Sequence, residues 1–236
     1  MDYFLGGYML LHCLPVEGLH PQLKGKPLLT CSTCFNESLL CAWSYAWLGS
    51  DKDSPYDGNM SLYEHLEATF LLTDEDREQI RIRANDWFNE DKVGWESIFM
   101  DKSTAIEYKQ SFFPHIENCY LLAIYIREPN VQEFSLYPSH DGIAARLLRR
   151  QPERNEMDEK LLGYDILGLE IGGQFHTSHC HPLYNELHQR FGLTLNQHGL
   201  YNEIPDWQPV VDYMNDDATG CEPVPWDIAR IKQVIF

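Results

Sequence analysis

Leu161–Gly192 reads LLGYDILGLEIGGQFHTSHCHPLYNELHQRFG, and this stretch decides the fold. Leu161, Leu162, Tyr164, Ile166, Leu167, Leu169 and Ile171 put apolar side chains on both faces of any strand drawn through them. Strands buried on both faces look like this, so a central strand is predicted over Leu161–Glu170. Gly172 and Gly173 end the run, because paired glycines permit positive φ and close backbone approach in a turn. A helix is expected just beyond. Pro182 suits its first position, where a missing N–H leaves no bond unmade, and His181 would be the cap. Leu183, Leu187 and Phe191 then form one apolar stripe, and Gly192 stands where a left-handed terminating residue belongs.

Between strand and helix lies His176-Thr-Ser-His179-Cys180-His181. Imidazole and thiolate are good zinc ligands and imidazole titrates near neutrality, so one reading is a zinc or proton-transfer site. The other is a polar loop whose histidines bond to backbone, with Cys180 turned inward as a small hydrophobe. No glutamate stands between the histidines as H-E-x-x-H requires, and Gly163, Gly168, Gly172 and Gly173 do not compose G-x-G-x-x-G or a P-loop. Ser178 lies near His176 and His179, but G-x-S-x-G is missing and no oxyanion site is evident. Cys31-Ser-Thr-Cys34 has ligand-pair spacing and could join Cys180 or a histidine around zinc, yet a second C-x-x-C is lacking. A redox pair would want a thioredoxin-like βαβ context, which is not there.

At 236 residues the chain is long enough for one large domain. Its hydrophobic content of 44% with 13% aromatics is that of a folded protein. No apolar run approaches the ~20 residues of a membrane-spanning helix. An acidic second residue, Asp2, stands where a signal peptide would carry lysine or arginine, so a cytoplasmic protein is expected. Seven cysteines, an odd number, do not compose a disulfide framework and are expected as thiols.

The formal charge is −18, from 36 acidic and 18 basic residues. Phosphate binding needs lysine and arginine to displace counterions, so nucleic acid and anionic membranes are excluded as expected partners. The imbalance concentrates near the C-terminal end. Between Arg190 and Arg230 there is no lysine or arginine, while Glu203, Asp206, Asp212, Asp216, Asp217, Glu222 and Asp227 all fall there. Such a field steers a cationic partner, although solubility alone also makes many proteins acidic. Asn215–Gly220 is oxygen-rich but lacks the twelve-residue order of an EF-hand. The carboxylates of Glu64–Glu78 and Asp86–Asp101 read as solvated helix faces rather than a glycosidase pair.

Elsewhere, Tyr3–Leu11 reads as a first strand with a bulge or close contact at Gly6-Gly7, and Leu28–Thr30 as the start of another. Leu39–Leu48 is a dense aromatic cluster, Ser50–Asn59 a turn, and a helix is expected from Ser61. Thr73 followed by Asp74, Glu75 and Asp76 is a helix opening close to a capping box, with Ile80, Ala84, Trp87 and Phe88 as its buried stripe. Ser103–Phe113 reads as a helix stopped by Pro114, and Tyr120–Ile126 as a second central strand beside Leu161–Glu170. Gly142–Arg150 is ambiguous between helix and strand. Gln151–Lys160 is a charged surface connection and the best place for a subdomain boundary. Asn196–Asn202 is turn-rich, Trp207–Met214 is helical with Pro209 in the first turn, and Ile228–Phe236 alternates as a strand, with a helix still open. The fold class is therefore α+β, one domain with a mixed or antiparallel central sheet and several flanking helices.

LGYDILGLEIGG, the histidine loop and FGLTLNQHGLYNE together resemble passages of bacterial immunity proteins associated with polymorphic toxins. The resemblance spans about a quarter of the chain and transfers no site residue. It implies a cytoplasmic α+β inhibitor that binds a toxin and blocks its active site, a role that suits an acidic surface if the toxin is basic. Asp206, Trp207, Asp212, Tyr213, Asp216, Asp217 and Glu222 are the expected partner-binding residues, with Trp207 and Tyr213 either anchors or core. No cofactor is expected. The competing readings are a metal-dependent hydrolase using His176, His179, Cys180 and His181, and a non-catalytic scaffolding protein.

Overall fold

Trp226–Val234 alternates between two sets of side chains, and in the computed structural model this stretch is a strand, β6, at the middle of a sheet. The structure describes residues 2–12, 27–32, 71–93, 98–128, 146–147, 149–154, 156–169, 175–181 and 183–236. Within them β1 is Tyr3–His12, α1 Asp74–Asn89, β2 Ile98–Phe99, α2 Lys102–Phe112, β3 Cys119–Arg127 and β4 Glu159–Leu169. Then come β5 (Phe175–Thr177), α3 (Tyr184–Phe191), α4 (Gln208–Met214) and β6. The sheet runs β2-β1-β3-β6-β4-β5 with every neighbouring pair antiparallel. The architecture is α+β, an antiparallel sheet with flanking helices, as the residue pattern predicts.

Two expectations change in detail. Tyr120–Ile126 falls within β3, but β3 does not lie beside β4: β6 stands between them, with Ile124 opposite Ile231 on one edge and Gly163 opposite Ile231 on the other. Apolar runs announce burial without naming a neighbour, so the order of two equally apolar strands was not readable. Leu28–Thr30 is buried but is not a strand; Leu29 N–H donates to His198 O instead of entering the sheet. The expected features at Cys34, Leu39–Leu48, Ser50–Asn59, Ser61 and Gly172-Gly173 lie outside the described residues, as does most of Gly142–Arg150.

Register sets what each face buries. On one face Tyr3, Leu5, Tyr8, Leu10, Leu121, Ala123 and Tyr125 meet α1 and α2 through Ile80, Ala84, Trp87, Tyr108 and Phe112. Farther along that face, Tyr164, Ile166, Trp226 and Ile228 meet α3 and α4 through Leu187, Val210, Val211 and Met214. The opposite face presents Met9, Leu11, Leu122, Ile124, Ile126, Ala229 and Ile231 toward Leu29, Cys31 and Leu200. The capping box of α1 is present as read: Thr73 Oγ1 accepts from Asp76 N–H, and the Asp76 carboxylate accepts from Thr73 N–H at 2.9 Å. Among the described residues, no helix is long and apolar enough to cross a membrane.

Charges also occupy the middle of the sheet. Arg127 and Asp227 form a buried ion pair, and Asp227 also accepts from Ile228 N–H at 2.7 Å. Residues 151–153 bond along the edge of β1, through Leu5 N–H to Gln151 O and Glu153 N–H to Tyr3 O. From there the chain reaches β4 over the cations of β6. Glu153 pairs with Arg230 and, at 2.7 Å, with Lys232, and Arg154 O accepts from Lys232 Nζ. Ile235 N–H donates to Asp158 O at the far end.

A bulge between Leu161 and Gly163 lets the 194–202 turn dock on the outer edge of β4. Gly163 takes φ +154, and a Cβ there would lie 2.7 Å from Asn196 Nδ2 and 2.8 Å from Leu200 Cβ. Gly163→Ala should therefore destabilise the protein by roughly 1–3 kcal/mol, the scale of a strained backbone position, read as a lowered urea midpoint at unchanged slope.

Candidate functional site

The acid-rich C-terminal segment is built on two short helices. α3 ends as its sequence requires, with Gly192 left-handed at φ 70 and its N–H on His188 O. Its start differs from expectation. Tyr184 is the first helical residue and Leu183 the cap, because His181 is taken up closing the 3-10 turn Ser178–Cys180, where its N–H donates to Ser178 O. α4 carries Pro209 in its first turn, and Asp206 caps locally by accepting from Gln208 N–H at 3.0 Å.

Asp206, Asp212, Asp216 and Asp217 are exposed. Asp212 accepts from Gln208 Nε2 at 2.7 Å, which orients it along the helix. Trp207 is core: its ring lies 5.5 Å from Tyr164 in the apolar cluster under α4. Tyr213 is half-buried at the surface, its hydroxyl bonded to Glu186, its ring 5.6 Å from Phe191 and covered by the Arg190 guanidinium at 4.6 Å. The structure thus sets Tyr213 among the acids in a fixed orientation and removes Trp207 from the surface.

Past α4 the chain makes an excursion from Asp216 to Pro225 that is pinned at its base. The Asn215 side chain donates to Val211 O and Trp226 O, each at 2.8 Å, and accepts from Trp226 N–H at 2.9 Å. It closes the helix and opens β6 at once. The excursion leaves a groove of about 490 Å³ lined by Asp216, Asp217, Thr219, Glu222 and Trp226 among others.

Glu222 is where the acidic segment meets the histidine loop. His181 Nε2 lies 2.5 Å from Glu222 Oε2, and His176 Nδ1 3.9 Å from Oε1. Both imidazoles border the Trp226 indole, at 5.8 and 6.5 Å, and the indole N–H donates to Glu222 O at 3.0 Å. His179 turns elsewhere, stacking on Tyr201 at 5.6 Å with Nε2 3.0 Å from Gly199 O. Cys180 Sγ lies 3.9 Å from Ser32 Oγ. His176 and His181 thus share Glu222 and Trp226 while His179 and Cys180 have partners of their own, and among the described residues no three His, Cys, Asp or Glu side chains are grouped to hold a metal ion.

The sequence reading passed over the most deeply buried carboxylate of this region. Asp165, on β4, has no exposed surface; it accepts from Thr30 Oγ1 at 2.5 Å and from Thr177 Oγ1 at 3.0 Å. Beside it Ser178 Oγ and Tyr201 OH are 3.0 Å apart. Complete burial pushes the Asp165 carboxyl above the usual carboxylate range, against the opposing effects of His179, the two hydroxyls and the Ile166 amide. The signal was present as a lone acid inside an apolar run. Its partners Thr30 and Thr177 come from distant parts of the chain, and a single sequence does not bring them together.

No protein-family model matches the chain, and no curated protein and no solved structure matches it.

Because the folded state holds the Asp165 proton to higher pH than the unfolded chain does, stability falls as pH rises from the unfolded carboxylate range through the folded one. Asp165→Asn retains a hydrogen-bonding side chain and removes that loss. Thermal melts should show the variant above wild type at pH 7.5, by roughly the 2–4 °C that ~1 kcal/mol gives in a chain of this length, with the gap closing toward pH 4.

Proposed function

We propose that this protein is a stoichiometric binder of a basic protein, an immunity-type inhibitor that captures a cationic toxin on the face formed by α3, α4 and the 216–225 excursion. One observation carries the reading. Asp206, Asp212, Asp216 and Asp217 face solvent on consecutive pieces of one segment that has no lysine or arginine from Phe191 to Ala229. A predominantly acidic surface of this kind accelerates encounter with an oppositely charged partner, while aromatic contacts set the lifetime of the complex. Tyr213 supplies the aromatic group, held by Glu186 and Arg190 before any partner arrives. Preorganisation of that sort lowers the entropy lost on binding. Retention in the cytoplasm, where such an inhibitor protects its own cell, belongs to the same reading.

Co-expression with the protein encoded beside it is the direct test: a one-to-one complex and restored growth are expected, and neither complex nor rescue would end the proposal. Within such a complex, replacing Asp206, Asp212, Asp216 and Asp217 together by Asn should slow association about tenfold or more at low salt and leave dissociation nearly unchanged. Stopped-flow mixing across a salt series reads both.

A further inference from the structure

Glu222 differs from the exposed Asp206, Asp212, Asp216 and Asp217 in being held from beneath. Its carboxylate is 37% exposed on the groove side, while the imidazoles against it are 13% exposed for His176 and 16% for His181. His176 comes from β5 and His181 from the end of the 3-10 turn, so the carboxylate ties the 216–225 excursion to two points outside it. The excursion is also fixed to the body through Asn215 at its base, by the Leu169 N–H on Pro225 O and by the Trp226 indole N–H on Glu222 O. No lysine or arginine stands within the segment to compete for Glu222.

We propose that His176, Glu222 and His181 form a pH-sensitive clasp, in which imidazole protonation locks the 216–225 excursion against Trp226 and cancels part of the negative charge this face presents. The described titratable groups around Glu222 are few: His176 on β5, His181 after the turn, Cys221 beside it, and Asp216 and Asp217 across the groove. Burial opposes the Glu222 charge, yet its backbone hydrogen bond and the His181 and His176 rings outweigh burial and hold the carboxyl below its usual range. Its carboxylate is therefore the negative partner against which both rings are set. With neutral rings, Asp216, Asp217 and Glu222 give the groove three negative charges. Each proton taken up by His176 or His181 offsets one of them and turns the contact of a neutral ring with a carboxylate into an ion pair.

The clasp is tested on the free protein. Amide exchange at residues 216–224, corrected for the intrinsic effect of pH, should slow at least fivefold between pH 8 and pH 5.8. The Trp226 indole N–H resonance should titrate over the same interval. The exchange effect should vanish in the His176→Asn, His181→Asn double variant and in Glu222→Gln, which keeps the shape and loses the charge, and the indole titration should vanish in the double variant. A wild-type excursion whose exchange and indole resonance ignore pH, or variants whose exchange follows pH as in wild type, would overturn the clasp. If the double variant does not fold, Glu222→Gln alone decides it.

The consequence for a cationic partner rests on the docking reading above and has its own readout. Octalysine, as a plain polycation, should bind wild type at least fivefold more weakly at pH 5.8 than at pH 8, and the double variant equally at both. No octalysine binding at pH 8 would count against the docking reading, while the exchange data still decide the clasp. Binding that ignores pH while the excursion titrates would overturn the charge-cancelling half of the proposal.

Discussion

β6 holds the two parts of the sheet together, because one edge of it bonds to β3 and the other to β4. Without it, β2-β1-β3 and β4-β5 are two separate half-sheets. Its alternation sends Ala229 and Ile231 to one apolar face and Arg230 and Lys232 to the other, where Glu153, Glu159 and the rings of Tyr3 and Tyr125 receive them. A slip of one residue would drive both cations into the apolar cluster and strip their carboxylates of partners. The charges thus fix register where hydrophobic contact alone would tolerate more than one answer. Arg127 with Asp227 does the same at the other end of the strand.

That arrangement also shapes the outer field. Arg127, Arg146, Arg230 and Lys232 are spent on internal contacts with Asp227, Gln151, Glu153 and Glu159, so they do little to offset the acids facing solvent. Around α4 the exposed carboxylates of the surface are neighbours in sequence, and Arg190 over Tyr213 is a cation set at their margin. Histidines at its inner margin connect this surface to β5 and hence to the frame of the sheet.

Much of the fold was legible in the residues, for physical reasons that differ from element to element. Thr73 with Asp76, Gly192 and Pro209 are local devices, fixed by a few adjacent backbone groups, and each was found where its chemistry put it. The four long strands were readable as apolar or alternating runs, whereas the short β2 and β5 were not, and His176 and Thr177, read as loop, belong to β5. Strand order was not, since the pairing of β3 with β6 joins residues far apart in the chain. The histidine loop shows the same limit from another side. Six consecutive residues suggested one site, but a 3-10 turn points successive side chains in different directions, and His179 parted from His176 and His181. Asp206, Asp212, Asp216 and Asp217 are all exposed. Which aromatic lay among them depended on the helical phase of α4, which buries Trp207 and leaves Tyr213 near the surface.

The position of β6 in chain order carries a consequence for biogenesis. As the polypeptide leaves the ribosome, β3 and β4 both emerge well ahead of residues 226–234, the strand that must slide between them. During that interval each nascent half exposes an open ladder of amides and carbonyls, the kind of edge that recruits other chains. A nonsense codon upstream of Trp226 would make the exposure permanent, so truncated products of this gene should be substrates for chaperones and proteases rather than shortened but working proteins.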